Sequence, residues 1–289
     1  MFRRRFYRGI IWGVFILALF IVRAFSQDKP EKPTANMNIE KMVSMDLAEK
    51  IAKNEHYKKR GKGVRGKTTV AYNLDESVIA YIVPYKIGED SFPSDEEIMQ
   101  EILEARLQLV EAKKELAKIR EECLAKGNVE MIEEGERARI VKPQDWLQAE
   151  EKVQELRNKC WGIGRYATLI ISATKNLAPI LQGSNGLPAY YTWRMAAEEK
   201  AKEALNTPSV HLTKVFFNPP MDQMFEFEAN GKKVWVRLFP LRVYSPGEVK
   251  KVERAKALAK EEVQQALKNE EASVKKKWEE VLREVQNEK

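Results

Sequence analysis

The segment with the clearest chemical precedent runs from Gly61 to Thr68. Its letters match the phosphate-binding loop G-x-x-x-x-G-K-[ST], in which glycine N–H groups and a lysine hold the phosphates of a nucleotide. That chemistry requires a buried strand before the loop and a helix after it. Here the residues before Gly61 are charged, and the residues from Thr68 onward predict a strand. We therefore expect no nucleotide and no cofactor, and nucleotide hydrolysis is kept only as an alternative to be tested.

The same segment concentrates positive charge. Six of the ten residues from 58 to 67 are basic and none is acidic, namely Lys58, Lys59, Arg60, Lys62, Arg65 and Lys67. Such a loop is able to hold anionic lipid headgroups, nucleic acid or an acidic protein surface. Charge runs of this kind are more often solvated loops without a fixed ligand. The sequence leaves both interpretations open.

No group of residues predicts a metal centre or a catalytic nucleophile. The chain has two histidines and two cysteines, and it contains neither a C-x-x-C pair nor a G-x-S-x-G elbow. His211 alternates with apolar residues, which is typical of a packed histidine or an edge histidine in a strand. We therefore assign no catalytic and no metal-binding residue, and an enzyme of an unrecognised family stays an alternative.

The segment from Thr207 to Tyr244 is the clearest β region. Asn230-Gly231 predicts a tight hairpin because both residues tolerate positive φ. Pairing outward from this turn predicts three cross-strand pairs: Phe227 with Val234, Phe225 with Val236, and Glu228 with Lys233. Alternating aromatic and basic residues also occur in stacking platforms for single-stranded nucleic acid, but in a sheet such aromatics usually form the core. Nucleic acid is therefore not an expected partner.

Two heptad seams predict a helical hairpin between residues 95 and 178. Ser94 and Glu97 form a reciprocal capping pair at the start of the first helix. Apolar side chains then recur in steps of four and three, first at Ile98, Ile102, Ala105, Leu109, Ala112, Leu116, Ile119 and Cys123, and again at Trp146, Ala149, Val153, Leu156, Cys160, Ile163, Ala167 and Ile170. Two such helices joined by a short segment most simply pack antiparallel.

Cys123 and Cys160 lie on these two seams. An even number of cysteines in an exported protein favours a disulfide. If the first helix continued to a bend near residue 141, the two thiols would lie at equal height. If it ended at Gly127, Cys160 would lie about 13 residues, or ~20 Å, too far along for a bridge. The alternative to the disulfide is two buried free thiols.

The remaining elements are less sharply defined. Residues 38–53 predict a short helix, 68–74 and 78–87 predict strands, and 182–188 predict a loop before a helix at 189–206. The apolar run at 161–181 is interrupted by Arg165 and Lys175, so it predicts a buried helix or a helix end and not a membrane span. Tyr190, Tyr191 and Trp193 are suited to anchor that loop in the core or to bind a protein partner.

The first 26 residues predict an exported protein. Four arginines at 3, 4, 5 and 8 precede an apolar run at 9–22, and small residues at Ala24 and Ser26 allow cleavage before Gln27. The run is short for a membrane span, so we expect a cleaved signal peptide, with an uncleaved anchor as the alternative. The formal charge of +7 originates mainly here, because removing 1–26 leaves 45 basic and 43 acidic groups.

The chain after the leader divides into three predicted parts. Residues 27–36 are polar, carry two prolines and predict a flexible linker. Residues 37–245 predict the folded domain, and 246–289 predict a long charged helix that begins at Ser245-Pro246-Gly247-Glu248. In that helix Val252, Val263, Val274 and Val285 recur every eleven residues, a thin apolar stripe that suits a helix that projects or lies against a partner.

These patterns predict an α+β fold with a small antiparallel sheet, a long antiparallel helical hairpin and a long C-terminal helix. They favour a periplasmic or cell-surface structural protein that binds other envelope proteins, or itself, through helical surfaces. A secretion, conjugation or surface assembly would use such a subunit. The alternative is a protein anchored in the inner membrane by residues 9–22, whose loop 58–67 binds anionic lipid or nucleic acid.

Overall fold

The computed structural model describes residues 42–88, 91–128, 130–134, 137–218, 222–249 and 271–287. The predicted leader at 1–26 and the linker at 27–36 lie outside these ranges, as do Val252 and Val263 of the C-terminal stripe. Among the described residues, no helix combines the length and the apolar character that crossing a membrane requires.

The helices and strands together confirm the α+β class. The helices with defined bounds are α1 (Met45–Arg60), α2 (Asp95–Ala125), α3 (Gln144–Trp161), α4 (Ala189–Thr192), α5 (Arg194–Leu205) and α6 (Glu271–Asn287). The strands are β1 (Gly63–Arg65), β2 (Thr69–Tyr72), β3 (Val78–Ile87), β4 (Glu130–Glu134), β5 (Arg137–Val141), β6 (Tyr166–Ser172), β7 (Ile180–Asn185), β8 (His211–Asn218), β9 (Asp222–Ala229), β10 (Lys232–Leu238) and β11 (Leu241–Tyr244).

Nine of these strands form one mixed sheet. Its order is β11-β10-β9-β8-β2-β3-β6-β7, and β1 also pairs with β3. The pair β2–β8 is parallel, and the other pairs in the sheet are antiparallel. The sheet is larger than the small antiparallel one that the sequence predicts, because the parallel pair joins two antiparallel units that are distant in the chain.

The predicted hairpin at Asn230-Gly231 is confirmed in turn and register. Both residues have positive φ, 52° and 72°, as a tight turn of this kind requires. The structure pairs Phe227 with Val234, Phe225 with Val236, and Glu228 with Lys233.

Two hydrophobic cores lie on opposite faces of the sheet. Successive residues of β3 alternate between them, with Ile82 in the first core and Tyr81 and Val83 in the second. The first core packs α2, α4 and α5 against the sheet, and the second packs α1 and α6 against β3 and β6. We call the sheet with α1, α4, α5 and α6 the body.

A helical arm, residues 95–161, extends from the body. Its α2 begins with the predicted Ser94–Glu97 capping box and has 31 residues, a length of ~46 Å. Ile98 and Ile102 anchor its first turns in the first core of the body. Farther along, α2 packs against α3 around a third, separate core formed by Ala112, Leu116, Cys123, Trp146, Ala149 and Val153. The strands β4 and β5 pair with each other between the two helices.

The second heptad seam is shorter than the sequence predicts. Helix α3 ends at Gly162, which has φ of 64° and forms a left-handed cap. The residues that continue the heptad, Ala167 and Ile170, lie in β6, whose side chains are buried throughout. The predicted hairpin boundary at 178 and the buried helix at 161–181 are therefore wrong. The first part of this segment forms β6 because the sheet buries its apolar side chains on both faces, and the chain then returns as the edge strand β7.

The C-terminal helix is described only for α6. Trp278 is buried in the second core, and its indole Nε1 donates to the carbonyl of Leu177 at 2.7 Å. Val274 and Val285, two of the four stripe residues, pack against the same core. This part of the helix therefore packs on its own body and does not project.

Candidate functional site

The glycines of the segment 61–68 serve local folding. Gly61 ends α1 with φ of 76°, and its N–H donates to the carbonyl of Tyr57. Gly63 lies in β1, where an added Cβ would meet Nε2 of His56 at 2.4 Å. Gly66 lies against the ring of Phe92. The segment follows a helix and leads into strands, which is the reverse of a phosphate-binding loop.

Half of the positive charge in this segment is neutralised within the protein. Lys58 pairs with Glu284 of α6 at 2.5 Å, Lys59 pairs with Glu55, and Arg65 pairs with Glu49. Of the other predicted anion-binding residues, Lys62 and Lys67 are exposed and Arg60 is half-buried beside His56. Lys58, Lys59 and Arg60 lie in the last turn of α1, whereas Arg65 pairs with Glu49 near the start of that helix, so the structure spreads the six residues along α1. The end of α1 serves as an attachment point for α6 through Lys58 and Glu284.

His56 is a packing residue beside this segment. Its ring stacks on Tyr85 with centroids 4.3 Å apart, and neither ring nitrogen has a hydrogen-bond partner among the described residues. Burial, together with the charge of Arg60, lowers the pKa of His56. A neutral imidazole is therefore the form that this site favours.

The two cysteines are free thiols, so the expected disulfide is not formed. Both cysteines are buried. Cys123 belongs to the core of the arm together with Trp146, and Cys160 lies in the last turn of α3. Helix α2 ends at Ala125, two residues before Gly127. A first helix that ends near Gly127 is the case in which the sequence predicts that the two cysteines lie too far apart to form a bridge. Ion pairs from Lys152 to Glu115 and from Arg120 to Glu150 set the register of the hairpin. In that register Cys160 lies ~20 Å from the level of Cys123.

A charged network holds the two helices of the arm together. Glu150 of α3 accepts hydrogen bonds from Arg120 of α2 at 2.8 Å, from Lys142 at 2.7 Å and from the indole of Trp146 at 2.8 Å. These donors lower the pKa of Glu150 to about 2, with the Lys142 contact the largest cause. The guanidinium of Arg120 also lies over the Trp146 ring, 5.3 Å from its centroid. The arm thus relies on polar contacts where its apolar core is thin.

The outer face of α2 exposes three large apolar side chains. Leu103, Leu107 and Val110 are 42%, 62% and 50% exposed, and their spacing of four and three residues places them on one face. This face lies about 135° around the helix from the inward seam. We call these three residues the outer stripe. Sequence reasoning missed it, although its spacing repeats the heptad step that revealed the inward seam.

An aromatic cluster lies beside the outer stripe at the base of the arm. Trp193 contacts Trp161 and Phe239 with ring centroids 5.7 and 4.9 Å apart. Trp161 and Phe239 are both more than two-fifths exposed. Arg106, a helix-surface neighbour of Leu103 and Val110, donates to the carbonyl of Thr192 and connects the two apolar surfaces.

The other predicted site residues are structural. Phe225 and Phe227 are fully buried in the first core, which supports the core interpretation of the aromatic strands. Tyr190 and Tyr191 are buried in the same core, and the Tyr191 hydroxyl donates to Asp95 at the start of α2. Within the described ranges, no three His, Cys, Asp or Glu residues are grouped as a metal site would require.

Comparison of the chain with protein-family models, with curated proteins and with solved structures finds no match. No relative therefore supplies a function, and the arm with its outer stripe and aromatic base is the surface whose chemistry is best suited to binding.

Proposed function

We infer that this protein is an exported structural subunit of the cell envelope that makes protein–protein contacts through its helical arm. A secretion, conjugation or surface assembly is the kind of complex in which it would act. The observation that carries this inference is the outer stripe, an exposed apolar row on a helix that is already packed on its opposite face.

The arm has the physical character of an interaction element. Large apolar side chains in a row on a helix are costly to leave in water, and burying one fully is worth ~1.5–3 kcal/mol. The exposed aromatic rings of Trp161 and Phe239 add side chains of the types enriched at protein interfaces. The ion pairs of the arm keep its two helices in a fixed register, so the stripe is presented on a rigid support.

The export part of the proposal is supported by the leader at residues 1–26. The leader begins with basic residues, continues with a short apolar run and ends with small residues before Gln27. This is the order of features in a signal peptide. The free thiols are compatible with an oxidising compartment, because the hairpin register keeps them too far apart to form a disulfide with each other.

The test is fractionation of native cells followed by isolation of the intact protein with whatever it binds. We expect an envelope-associated protein whose N-terminus is Gln27, and we expect other envelope proteins to co-purify with it. The double variant Leu107→Glu with Val110→Glu should reduce that co-purification at least tenfold. The control Gln108→Glu with Gln148→Glu adds the same charge at exposed arm positions outside the stripe and should leave co-purification unchanged.

Two results would overturn the proposal. One is a full-length chain dissolved in the cytoplasm. The other is a protein recovered alone from the envelope, with and without the stripe substitutions.

A further inference from the structure

His56 is a titratable side chain that lies inside the junction of α1, β1 and β3. It is 1% exposed, and its imidazole stacks on the ring of Tyr85 in β3, with centroids 4.3 Å apart and an angle of 9° between the ring planes. The ring of Tyr57 in α1 lies 6.2 Å away. The backbone of β1 covers the imidazole, because a Cβ built on Gly63 would lie 2.4 Å from Nε2. A glycine at position 63 therefore allows the strand to lie this close to the ring.

The ring nitrogens of His56 are buried without an acceptor. Nδ1 and Nε2 have no hydrogen-bond partner among the described residues, and the same holds for the buried hydroxyl of Tyr85. Burial also raises the pKa of Tyr85, so this hydroxyl is uncharged near neutral pH. A neutral imidazole leaves one N–H donor unpaired here, whereas a protonated imidazole leaves two donors and a full charge unpaired. Because a buried charge without a partner is far more costly than a buried neutral group, protonation of His56 opposes the packing of this junction.

The charged groups of α1 and β1 do not compensate a proton on His56. Arg60 lies one turn after His56 on α1, and its positive charge adds to the effect of burial in lowering the pKa of His56. Glu49, nearer the start of α1, is already bound to Arg65 of β1 and to the hydroxyl of Thr68. The carboxylate of Glu49 is therefore not free to bind a protonated imidazole.

The charged groups of β3, of α6 and at the position next to His56 do not compensate it either. Lys86 follows Tyr85 in β3, so its side chain lies on the opposite face of the sheet, where its charge contributes to the lowered pKa of Glu97. Glu55 of α1 and Glu284 of α6 are each paired with a lysine of α1. The surroundings of His56 therefore favour the neutral imidazole from every element packed around it.

We propose that His56 is a pH-sensitive switch: when its imidazole takes up a proton, β1 and the last turn of α1 separate from β3. The charge then reaches water, because the backbone of Gly63 no longer covers the ring. The same opening separates Arg65 from Glu49. The closed junction is fully favoured above the ordinary histidine pKa of 6.5 and loses stability as the pH falls below it, because the open form binds the proton more tightly. This inference is independent of the outer stripe, since the junction belongs to the body.

The switch is tested by hydrogen exchange of the intact protein at about pH 7.5 and about pH 5.5, corrected for the intrinsic pH dependence of exchange. One proton taken up at the ordinary pKa raises the opening equilibrium constant about tenfold at most between these two pH values. We expect an increase of roughly three- to tenfold for residues 57–65 and no increase for β9 and β10.

The two histidines of the chain provide a matched pair of variants. His56→Gln has a side chain that does not titrate, so it should abolish the increase in exchange at residues 57–65. His211→Gln makes the same change at an exposed position and should retain the increase. The imidazole signals of the parent protein give a measurement that does not require a variant to fold. In nuclear magnetic resonance spectra His56 should titrate below the ordinary pKa of 6.5.

Four results would overturn the switch. The first is a His56 imidazole that titrates at or above 6.5. The second is exchange at residues 57–65 that does not respond to pH after correction. The third is an increase that is equally large in His56→Gln, because another group would then be its cause. The fourth is an increase that is equally large in β9 and β10, because the opening would then be global and not confined to the junction.

Discussion

The body and the arm bury their apolar side chains in different ways. The body places aromatic and branched side chains on both faces of a nine-stranded sheet, including Phe225, Phe227 and Ile82. The arm beyond its base has one thin core whose members include two alanines and a cysteine, and it adds ion pairs between its helices. The body is therefore built for stability, whereas the arm keeps large apolar side chains on its outside.

This difference is the reason why we propose that the arm, and not the body, binds a partner. A protein needs only one large core to hold its fold, and exposed apolar rows are usually eliminated unless something covers them. The arm depends on the body for its attachment, because Ile98 and Ile102 pack in the first core. Substitutions in the body should therefore lower the free energy of unfolding. Substitutions in the outer stripe should weaken binding and leave the free energy of unfolding almost unchanged.

The largest effect is expected from Phe227→Ala in the body. The side chain is fully buried in the first core, so its removal leaves a cavity and should lower the free energy of unfolding by ~3–5 kcal/mol. Urea denaturation followed by tryptophan fluorescence measures this change. A loss below ~1 kcal/mol would show that the core of the body is not as tightly packed as described.

A smaller loss is expected from Gly63→Ala. The new Cβ would lie 2.4 Å from Nε2 of His56 and 2.8 Å from the carbonyl of Lys86, which is backbone and cannot move freely. Such overpacking should cost ~1–3 kcal/mol in thermal or urea unfolding. Gly247→Ala is the matched control, because nothing lies within 4 Å of its added Cβ. Equal stability of the two variants would contradict the close approach of β1 to α1.

Glu150→Gln should destabilise the arm by about 1–2 kcal/mol at neutral pH, because three donors lose their charged acceptor. The pKa of Glu150 is lowered from 4.5 to about 2 in the folded arm. Its contribution is therefore complete above pH ~4.5 and is lost as the pH falls toward 2. Hydrogen exchange in α3 should show this pH dependence in the parent protein. If hydrogen exchange in α3 of the Glu150→Gln variant depended on pH equally steeply, ionisable groups other than Glu150 would be the cause of the pH dependence.

The smallest change in stability is expected from the outer stripe. Leu107→Glu with Val110→Glu should alter the free energy of unfolding of the monomer by less than ~0.5 kcal/mol, because both positions are exposed and glutamate is a good helix former. Urea denaturation followed by tryptophan fluorescence measures this. A loss comparable to that of Phe227→Ala would mean that the stripe belongs to the core, and it would remove the contrast between the two regions.

Local signals in the sequence predicted local structure well. Asn230-Gly231 predicted its turn and the register of two strands, and Ser94 with Glu97 predicted the start of α2. In both cases the deciding contacts lie within a few residues of each other. The heptad spacing also predicted the arm, but it continued through Ala167 and Ile170 into what is a buried strand.

The failures involve contacts between distant parts of the chain. No local pattern shows that β2 pairs with β8, since the parallel pair joins residues near 71 and 215. Trp278 was not singled out, because its burial depends on α1 and the sheet and not on its own helix. For the candidate site, the heptad spacing of Leu103, Leu107 and Val110 was present in the sequence. Their exposure became clear only when the structure showed which side of α2 the body and α3 fill.

The most direct test of the arm as the binding region is site-specific photo-cross-linking in native cells. A photoreactive amino acid at position 107 should give discrete cross-linked species that are heavier than the chain. The same amino acid at position 148, which is exposed on α3, should give none of these species. Equal cross-linking from both positions, or none from position 107, would contradict the assignment of binding to the outer stripe.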